Sequence, residues 1–293
     1  MDALVTGAGG FVGRHVAAAL RAQGHTVRDE RVELRDAAAV ERAVAGCDAV
    51  FHVAALYAYD GPPELFEAVN VEGTRHVVDA CRRAGVRRLV HTSTAGTCGP
   101  VAGRPATERD APPGWELRVP YKHTKLRAER LVLAAARDGL DAVVVNPTTP
   151  IGPGDAKPTP TGRMLAGVAS GRVRAYIGGT GLNLVDVRDV AAGHLLAFER
   201  GVRGERYLLG AEDLTLREVF ARVAAAAGRP APRLRIPYAL PRALAAARLL
   251  NRDEVALARM PMFFSSAKAR RELGYAPGSL ERAIVDAVAD ALG

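Results

Sequence analysis

Three glycines near the start of the chain, Gly7, Gly10 and Gly13, constrain its fold more than any other feature. They follow a β-type run at residues 4–6 and open a helical pattern at residues 12–23. At this spacing the first glycine permits a tight turn, the second lets the backbone approach a pyrophosphate, and the third lets the helix pack closely on the sheet. The helix amino terminus offers unpaired amides to the phosphates. The segment predicts a dinucleotide-binding unit whose cofactor contacts are Gly7, Gly9, Gly10, Phe11, Val12 and Gly13.

Short β-type runs alternate with helical patterns through the first half of the chain, which is typical of βαβ units and a parallel sheet. Further strands are predicted at 26–27, 32–34, 49–53, 88–92 and 141–145, and helices at 37–45, 64–84 and 120–137. Beyond Pro147 the sequence is rich in Gly and Pro, and helices are predicted at 190–198, 216–227, 241–250 and 280–292.

These patterns predict an α/β fold, a Rossmann-like doubly wound parallel sheet with a smaller, mostly helical C-terminal substrate domain. The dinucleotide-binding domain is expected over residues 1–150, with residues 184–200 returning to it. Residues 151–293 are expected to form mainly the substrate-binding cap.

Composition excludes several classes of protein. The 293 residues are 48% hydrophobic and 25% charged, and no run approaches the roughly 20 apolar residues of a membrane span. The net charge is +8, but no basic run is interleaved with aromatic residues, so a nucleic-acid partner is not expected. Cys47, Cys81 and Cys98 lack metal-ligand spacing and are predicted to be reduced thiols, with no metal site. With no basic leader before an apolar segment, we expect a cytoplasmic protein with a small-molecule substrate and no membrane partner.

The residue at the end of the second strand selects between NAD and NADP in dinucleotide-binding folds, because an acid binds the ribose hydroxyls and an arginine accepts a 2′-phosphate. Arg28 occupies this position, and Asp29 follows it. Arg28 predicts that NADP(H) is favoured over NAD(H), and a solvated Arg28 with Asp29 on the ribose is the alternative.

Tyr121 and Lys125 lie four residues apart at the start of a predicted helix, so their side chains share one face. An ammonium beside a phenol lowers the pKa of the phenol toward a range useful for acid/base chemistry. The pair is therefore a candidate for exchanging a proton with a substrate oxygen. Thr94, or alternatively Ser93, follows a predicted parallel strand, where its hydroxyl can hold that oxygen against Tyr121.

Together these features resemble the extended short-chain dehydrogenase/reductase (NAD-dependent epimerase/dehydratase) family. Within it, the chain looks most similar to the branch of dihydroflavonol-4-reductase-like proteins and hopanoid-associated sugar epimerases. The resemblance covers nearly the whole chain and is carried by segments 69–74, 145–153, 157–163, 181–187 and 262–268. It implies that Thr94 is the family's Ser/Thr, that Tyr121 is the acid/base, and that Lys125 binds the ribose and activates the tyrosine.

The resemblance also implies contacts on the cofactor side. Segment 52–55 is similar to the family's loop beneath the nicotinamide half, which places Ala54 and Ala55 there, and Pro147 resembles the contact beside the ring. Asn70 is implied to be a structural or cofactor-side group. The chain departs from the branch in two places. The stretch between Arg28 and Val32 is shorter and is similar to dTDP-4-dehydrorhamnose reductases, and Glu33 stands where the family usually has Asp.

These parts suit three functions. The main hypothesis is reduction of a ketone on a hydrophobic or aromatic molecule. It depends on residues 240–264, a predicted lid rich in Leu, Ala, Met and Phe. The alternative for these apolar residues is ordinary core packing. A nucleotide-sugar epimerase or dehydratase is the second hypothesis, with Arg163 and the Lys157 segment meeting a diphosphate. A non-catalytic dinucleotide sensor is the third.

Two further expectations concern the surroundings of the site. Tyr57 and Tyr59 follow a predicted strand and either line the substrate cleft or cover the core. By analogy with related enzymes, a homodimer is expected through the helices at 64–84 and 121–137.

Overall fold

A six-stranded parallel sheet is the central element of the computed structural model, which describes residues 1–58 and 61–292. The strands of the chain are β1 (Asp2–Thr6), β2 (Thr26–Arg28), β3 (Ala49–His52), β4 (Arg88–Thr92), β5 (Ala142–Pro147), β6 (Thr149–Ile151), β7 (Ala175–Ile177), β8 (Gly181–Asp186), β9 (Arg206–Leu209), β10 (Glu212–Thr215) and β11 (Leu234–Ile236). The large sheet has the order β2-β1-β3-β4-β5-β9, and every neighbouring pair in it is parallel.

Helices cover the sheet and build the rest of the chain. They are α1 (Phe11–Ala22), α2 (Ala37–Val44), α3 (Pro63–Phe66), α4 (Gly73–Ala84), α5 (Pro120–Arg137), α6 (Pro160–Ala169), α7 (Val187–Arg200), α8 (Leu216–Ala226), α9 (Ala239–Ala246), α10 (Arg252–Leu257), α11 (Ala267–Leu273) and α12 (Leu280–Leu292). Two short 3₁₀ helices (Ala95–Thr97 and Glu116–Arg118) and a π-helical turn (Glu67–Glu72) complete the set.

The two faces of the large sheet pack against different helices because successive side chains of a strand point to opposite faces. Val5 and Phe51 join the core under α1 and α7, whereas Leu4 and Val50 join the core under α2, α4 and α5. This arrangement is the doubly wound parallel sheet predicted from the alternating pattern, and it confirms the fold class. The helix α7 and the strand β9 come from the second half of the chain, and the sequence pattern did not reveal β9.

The prediction of a strand at residues 32–34 was wrong, because the structure has no strand there. Leu34 is buried, but its carbonyl oxygen accepts a hydrogen bond from the ring of His76, 2.8 Å away, rather than from a strand. The side chain of Leu34 packs against Gly73 of α4, which has no side chain. A Cβ on Gly73 would lie only 2.8 Å from the Cβ of Leu34. The buried Leu34 therefore made the sequence of residues 32–34 look like a strand, although this segment pairs with no strand.

The second half contains helices together with two small sheets. In one of them β8 lies between β6 and β10, and the other pairs β7 with β11. A separate core joins α6, α8 and α12 to the first of these sheets through residues such as Leu184, Phe220 and Ile284. Within the described residues, no helix combines the length and apolar character needed to cross a membrane.

Candidate active site

The glycine turn between β1 and α1 has the geometry of an anion-binding loop. Gly7 adopts φ +73°, and its carbonyl accepts the amide of Gly10 at 2.9 Å. A Cβ on Gly13 would overlap that same carbonyl oxygen, so only glycine lets α1 begin this close to the turn. Gly10 caps α1 without a side chain, and the space around Gly9 is open. The backbone amides at the start of α1, where Phe11 and Val12 form the first turn, thus fit the pyrophosphate of a dinucleotide.

The loop after β3 lies directly against the glycine turn. A Cβ on Gly7 would lie 2.7 Å from the Cα of Ala54, and the amide of Ala54 donates to the hydroxyl of Thr6 at 3.3 Å. That hydroxyl also contacts the ring of His52, 2.8 Å away. The structure therefore brings Ala54, and with it Ala55, beside the phosphate loop.

Asn70 connects this loop to helix α5. Its side chain accepts the amide of Leu56 at 2.7 Å and donates to the hydroxyl of Thr124 at 3.1 Å. It lies within the π-helical turn Glu67–Glu72, a local widening of the helix that often marks functional sites. Asn70 is thus a structural link between the loop after β3 and α5.

Helix α5 places Tyr121 and Lys125 on the side that faces the carboxyl end of β4. The phenol of Tyr121 lies beside the side chain of Thr94, and its ring lies 4.8 Å from that of Tyr57. The ammonium of Lys125 donates to the carbonyl of Thr92 at 2.6 Å. Thr94 caps the short helix Ala95–Thr97, so a rigid turn holds its hydroxyl. Thr94 and Tyr121 therefore lie together at the carboxyl edge of the sheet, and Lys125 reaches the backbone at the end of β4.

The pKa of Tyr121 lies above its ordinary value, opposite to the direction expected from the sequence. Burial of the phenol is the main cause, the neighbouring Tyr57 adds to it, and the side chain of Thr94 opposes it. Burial lowers the pKa of Lys125 to about 8, with the carboxylate of Glu129 opposing that shift. The phenol is therefore protonated near neutral pH, which is the form that donates a proton.

Comparison with known proteins identifies the family of this chain. The sequence model of the NAD dependent epimerase/dehydratase family matches residues 3–210, more than half of the chain. The chain belongs to this family. The resemblance expected from the glycine loop and the Tyr-Lys pair is thereby confirmed.

Two relatives match almost the full chain. Sterol demethylase protein B of Methylococcus capsulatus is 36% identical over 322 residues, covering 99% of this chain and 98% of that protein. The 2-alkyl-3-oxoalkanoate reductase of Stenotrophomonas maltophilia is 34% identical over 319 residues, covering 94% of this chain and 95% of that protein. The chain is an NAD(P)-dependent oxidoreductase of the epimerase/dehydratase family.

Solved structures agree with this assignment. UDP-glucose 4-epimerase of Thermus thermophilus, in complex with NAD, is 26% identical with a TM-score of 0.82, covering 100% of this chain and 99% of that chain. RMD from Pseudomonas aeruginosa, complexed with NADPH, is 22% identical with a TM-score of 0.78, covering 99% and 98%. The similarity to RMD shows a shared fold only.

Arg28 lies at the end of β2, but its guanidinium reaches toward the amino end of the sheet. It makes an ion pair with Asp2, the first residue of β1, and donates to the carbonyl of Ala45 at 2.9 Å. Asp29 is paired with Arg21 at 2.7 Å. In this member of the epimerase/dehydratase family, both candidate ribose-side residues therefore already have partners.

Pro147, the predicted contact beside the nicotinamide ring, is buried at the end of β5 and pairs with Leu209 of β9. It lies at the carboxyl edge of the sheet, the same edge that carries Thr94. Ser93, the alternative to Thr94, is buried. Its hydroxyl has no hydrogen-bond partner among the described residues, whereas that of Thr94 reaches Tyr121.

A buried polar network beneath the site was missed by sequence reasoning. The side-chain amide of Asn146 donates to the Thr94 carbonyl at 3.1 Å and to the carboxylate of Glu129 at 2.7 Å. Glu129 also accepts the hydroxyl of Thr97 at 2.6 Å and pairs with Arg206 at 2.7 Å. This network fixes the backbone of the turn that carries Thr94. One signal was present, because Glu129 follows Lys125 by four residues on the buried face of α5.

The predicted lid divides into two parts. Met262 and Phe264 belong to a buried cluster beside Ala95, as core packing requires, whereas Leu249 and Leu250 are exposed. Tyr57 contacts Tyr121 and so borders the site, but Tyr59 falls outside the described residues.

The residues proposed to meet a sugar diphosphate lie on α6 and in the segment before it. Arg163 is paired with Glu254 at 3.0 Å and donates to the carbonyl of Pro158. Lys157 is exposed, two residues before the Thr159 cap of α6.

Proposed function

We propose that this enzyme reduces a ketone on an apolar small molecule with a nicotinamide cofactor, and that Tyr121 donates the proton. The observation that carries the proposal is that the hydroxyl of Thr94 and the phenol of Tyr121 lie next to each other. Two hydroxyl groups held together at the carboxyl edge of a parallel sheet can both address one carbonyl oxygen. The phenol of Tyr121 is protonated near neutral pH, as proton donation to a ketone oxygen requires, although burial makes it a weaker acid.

Each residue then has a defined task. Thr94 holds the substrate oxygen, Tyr121 transfers its proton to that oxygen, and Lys125 stabilises the phenolate that remains. The bound nicotinamide supplies the hydride. The Thr94 backbone needs no rearrangement for this step, because Asn146 and Glu129 already hold the turn.

A relative and the cap both indicate the class of substrate. The name of the 2-alkyl-3-oxoalkanoate reductase states reduction of an oxo group on an alkyl-substituted chain, and that relative matches 94% of this chain. In the cap, Met262 and Phe264 form an apolar cluster with Ala95, the residue that follows Thr94. Both features favour an apolar ketone.

We further propose that NADP(H) is the preferred cofactor, as Arg28 indicates. Arg28 and the exposed Arg31 are the guanidinium groups nearest in sequence to the end of β2. Use of Arg28 for a 2′-phosphate requires that it leave its partner Asp2.

Epimerisation or dehydration of a nucleotide sugar is the second candidate, favoured by the structural likeness to UDP-glucose 4-epimerase. The ion pair between Arg163 and Glu254 counts against it, because that guanidinium is already committed to a carboxylate. The third candidate, a non-catalytic sensor, has no need for the Thr94, Tyr121 and Lys125 arrangement.

The deciding experiment offers the purified enzyme NADPH or NADH with a series of 3-oxo compounds of increasing alkyl length, and in parallel UDP-sugars with NAD. We expect cofactor oxidation with the apolar ketones and a kcat/KM that rises with chain length. Epimerisation of UDP-sugars without ketone reduction would establish the second candidate. Tight cofactor binding without turnover in either series would establish the sensor.

A further inference from the structure

The segment from residue 229 to residue 259, here called the basic cap segment, concentrates the positive charge of the chain. It contains seven arginines, one aspartate and one glutamate, so 7 − 2 gives a charge of +5 out of +8 for the whole chain. Its structured elements are β11, α9 and α10. About a tenth of the sequence therefore carries most of the net charge.

The arginines of this segment are available to a partner. All seven are exposed. Arg259 lies over the ring of Trp115 at 5.6 Å, and the acidic residue Glu254 is already used by Arg163. Within the described part of the chain, the other six arginines make no ion pair with a carboxylate: Arg229, Arg233, Arg235, Arg242, Arg248 and Arg252.

The same segment exposes large aliphatic side chains. Leu234 is 62% exposed, Leu249 is 71% exposed, and Leu240 and Leu250 are 46% and 43% exposed. These four are nearly half of the nine large hydrophobic residues found exposed among the described residues. The four leucines lie within residues 234–250, and exposed apolar side chains that gather in one region mark an interaction surface, whereas scattered ones do not.

We propose that the basic cap segment binds peripherally to the surface of an anionic lipid bilayer. Leucines of this kind enter the boundary between headgroups and acyl chains, while neighbouring guanidinium groups meet the lipid phosphates. The exposed apolar residues are aliphatic, whereas surfaces for single-stranded nucleic acid rely on aromatic stacking, so lipid is favoured over nucleic acid. The proposal departs from the sequence-based expectation of no membrane partner and is independent of the proposed function.

The test is sedimentation of the full-length protein with vesicles. One set contains phosphatidylcholine only, and the other contains phosphatidylcholine and phosphatidylglycerol in equal parts. We expect sedimentation with the anionic vesicles and release at high ionic strength, since surface charge attraction is screened by salt. The double variant Arg242→Glu/Arg248→Glu should lose roughly tenfold or more in apparent vesicle affinity, given about 1 kcal/mol for each basic residue near an anionic surface.

Two further variants make the test specific. Leu249→Ser/Leu250→Ser keeps the charge and should also weaken binding several-fold, because it removes the apolar contact. Arg42→Glu/Arg203→Glu makes the same charge change at exposed positions outside the segment and should bind like the wild type. The proposal is overturned if the wild type does not sediment, if the control loses as much affinity as the cap variant, or if the serine variant binds unchanged. Cofactor binding verifies that each variant is folded.

Discussion

The ammonium of Lys122 and the carboxylate of Glu116 form a buried ion pair, 2.9 Å apart, next to Tyr121 in the sequence. The two side chains are only 7% and 0% exposed. Lys122 directly follows Tyr121, and it passes so close to Gly96 that a Cβ on that glycine would overlap the ammonium. The pair therefore joins the start of α5 to the turn that carries Thr94.

Lys122→Met should destabilise the protein, because it leaves the Glu116 carboxylate buried without its partner. The expected loss is about 3 kcal/mol in the free energy of unfolding, measured with denaturant. Burial already raises the pKa of Glu116, which agrees with a carboxylate that depends on its partner. The double variant Lys122→Met/Glu116→Gln should recover part of the loss. Simple additivity of the two single changes would show that the pair is not coupled.

Tyr121→Phe should lower kcat by at least about a hundredfold, because only the proton donor is removed. The dissociation constant of the cofactor, measured by fluorescence titration, should stay close to the wild-type value. Tyr176→Phe removes a hydroxyl from β7 and serves as the matched control. Turnover at the wild-type level in Tyr121→Phe would refute the assignment of the proton donor.

Gly13→Ala should weaken both the fold and cofactor binding, because its methyl group would push α1 away from the Gly7 carbonyl. Overpacking of this kind costs roughly 1–3 kcal/mol, which a thermal unfolding curve detects. Gly9→Ala is the comparison, since a Cβ there meets nothing within 4 Å. The Gly9→Ala variant should therefore keep the wild-type Tm. Equal Tm values for the two variants would argue against the close approach of α1.

Arg28→Ala tests the choice of cofactor. If Arg28 accepts a 2′-phosphate, kcat/KM with NADPH should fall about tenfold or more, because a charge-assisted contact is lost, while the value with NADH should hold. The ion pair with Asp2 leads to a complementary expectation, that Asp2→Asn frees the guanidinium and raises the NADPH preference. Parallel losses with both cofactors would assign Arg28 a structural role only.

Three buried histidines make the stability depend on pH. Burial lowers the pKa of His194 to about 4 and that of His52 to about 3, and it lowers the pKa of His91 well below its usual range. The nearby charge of Lys125 adds to the shifts of His52 and His91.

Between about pH 4 and the ordinary histidine pKa of about 6.5, the unfolded chain therefore binds protons that the folded chain does not. The stabilisation is complete above about pH 6.5 and declines as the pH falls. The free energy of unfolding should be lower at pH 5 than at pH 7.5, and His194→Gln should flatten the difference. An unchanged stability over this range would mean that these rings have the same pKa in the folded and unfolded chains.

The local parts of the site could be predicted from the sequence. The glycine turn, the helix that begins at Pro120, and the spacing of Tyr121 and Lys125 depend on residues close together in the chain. Their conformations follow from glycine turn geometry, proline at a helix start and the helical repeat. The alternation of strands and helices likewise sufficed to predict the doubly wound sheet.

The electrostatic environment of the site was decided by tertiary structure. The pKa of Tyr121 rises because residues distant in the chain bury it, although Lys125 next to it in the helix suggested the opposite. Arg28 turns to Asp2, and Glu129 joins Asn146 to Arg206, through contacts that span between 17 and 77 residues of sequence. A local pattern specifies which face a side chain occupies. Its solvation and its partner depend on which distant segments fold against that face.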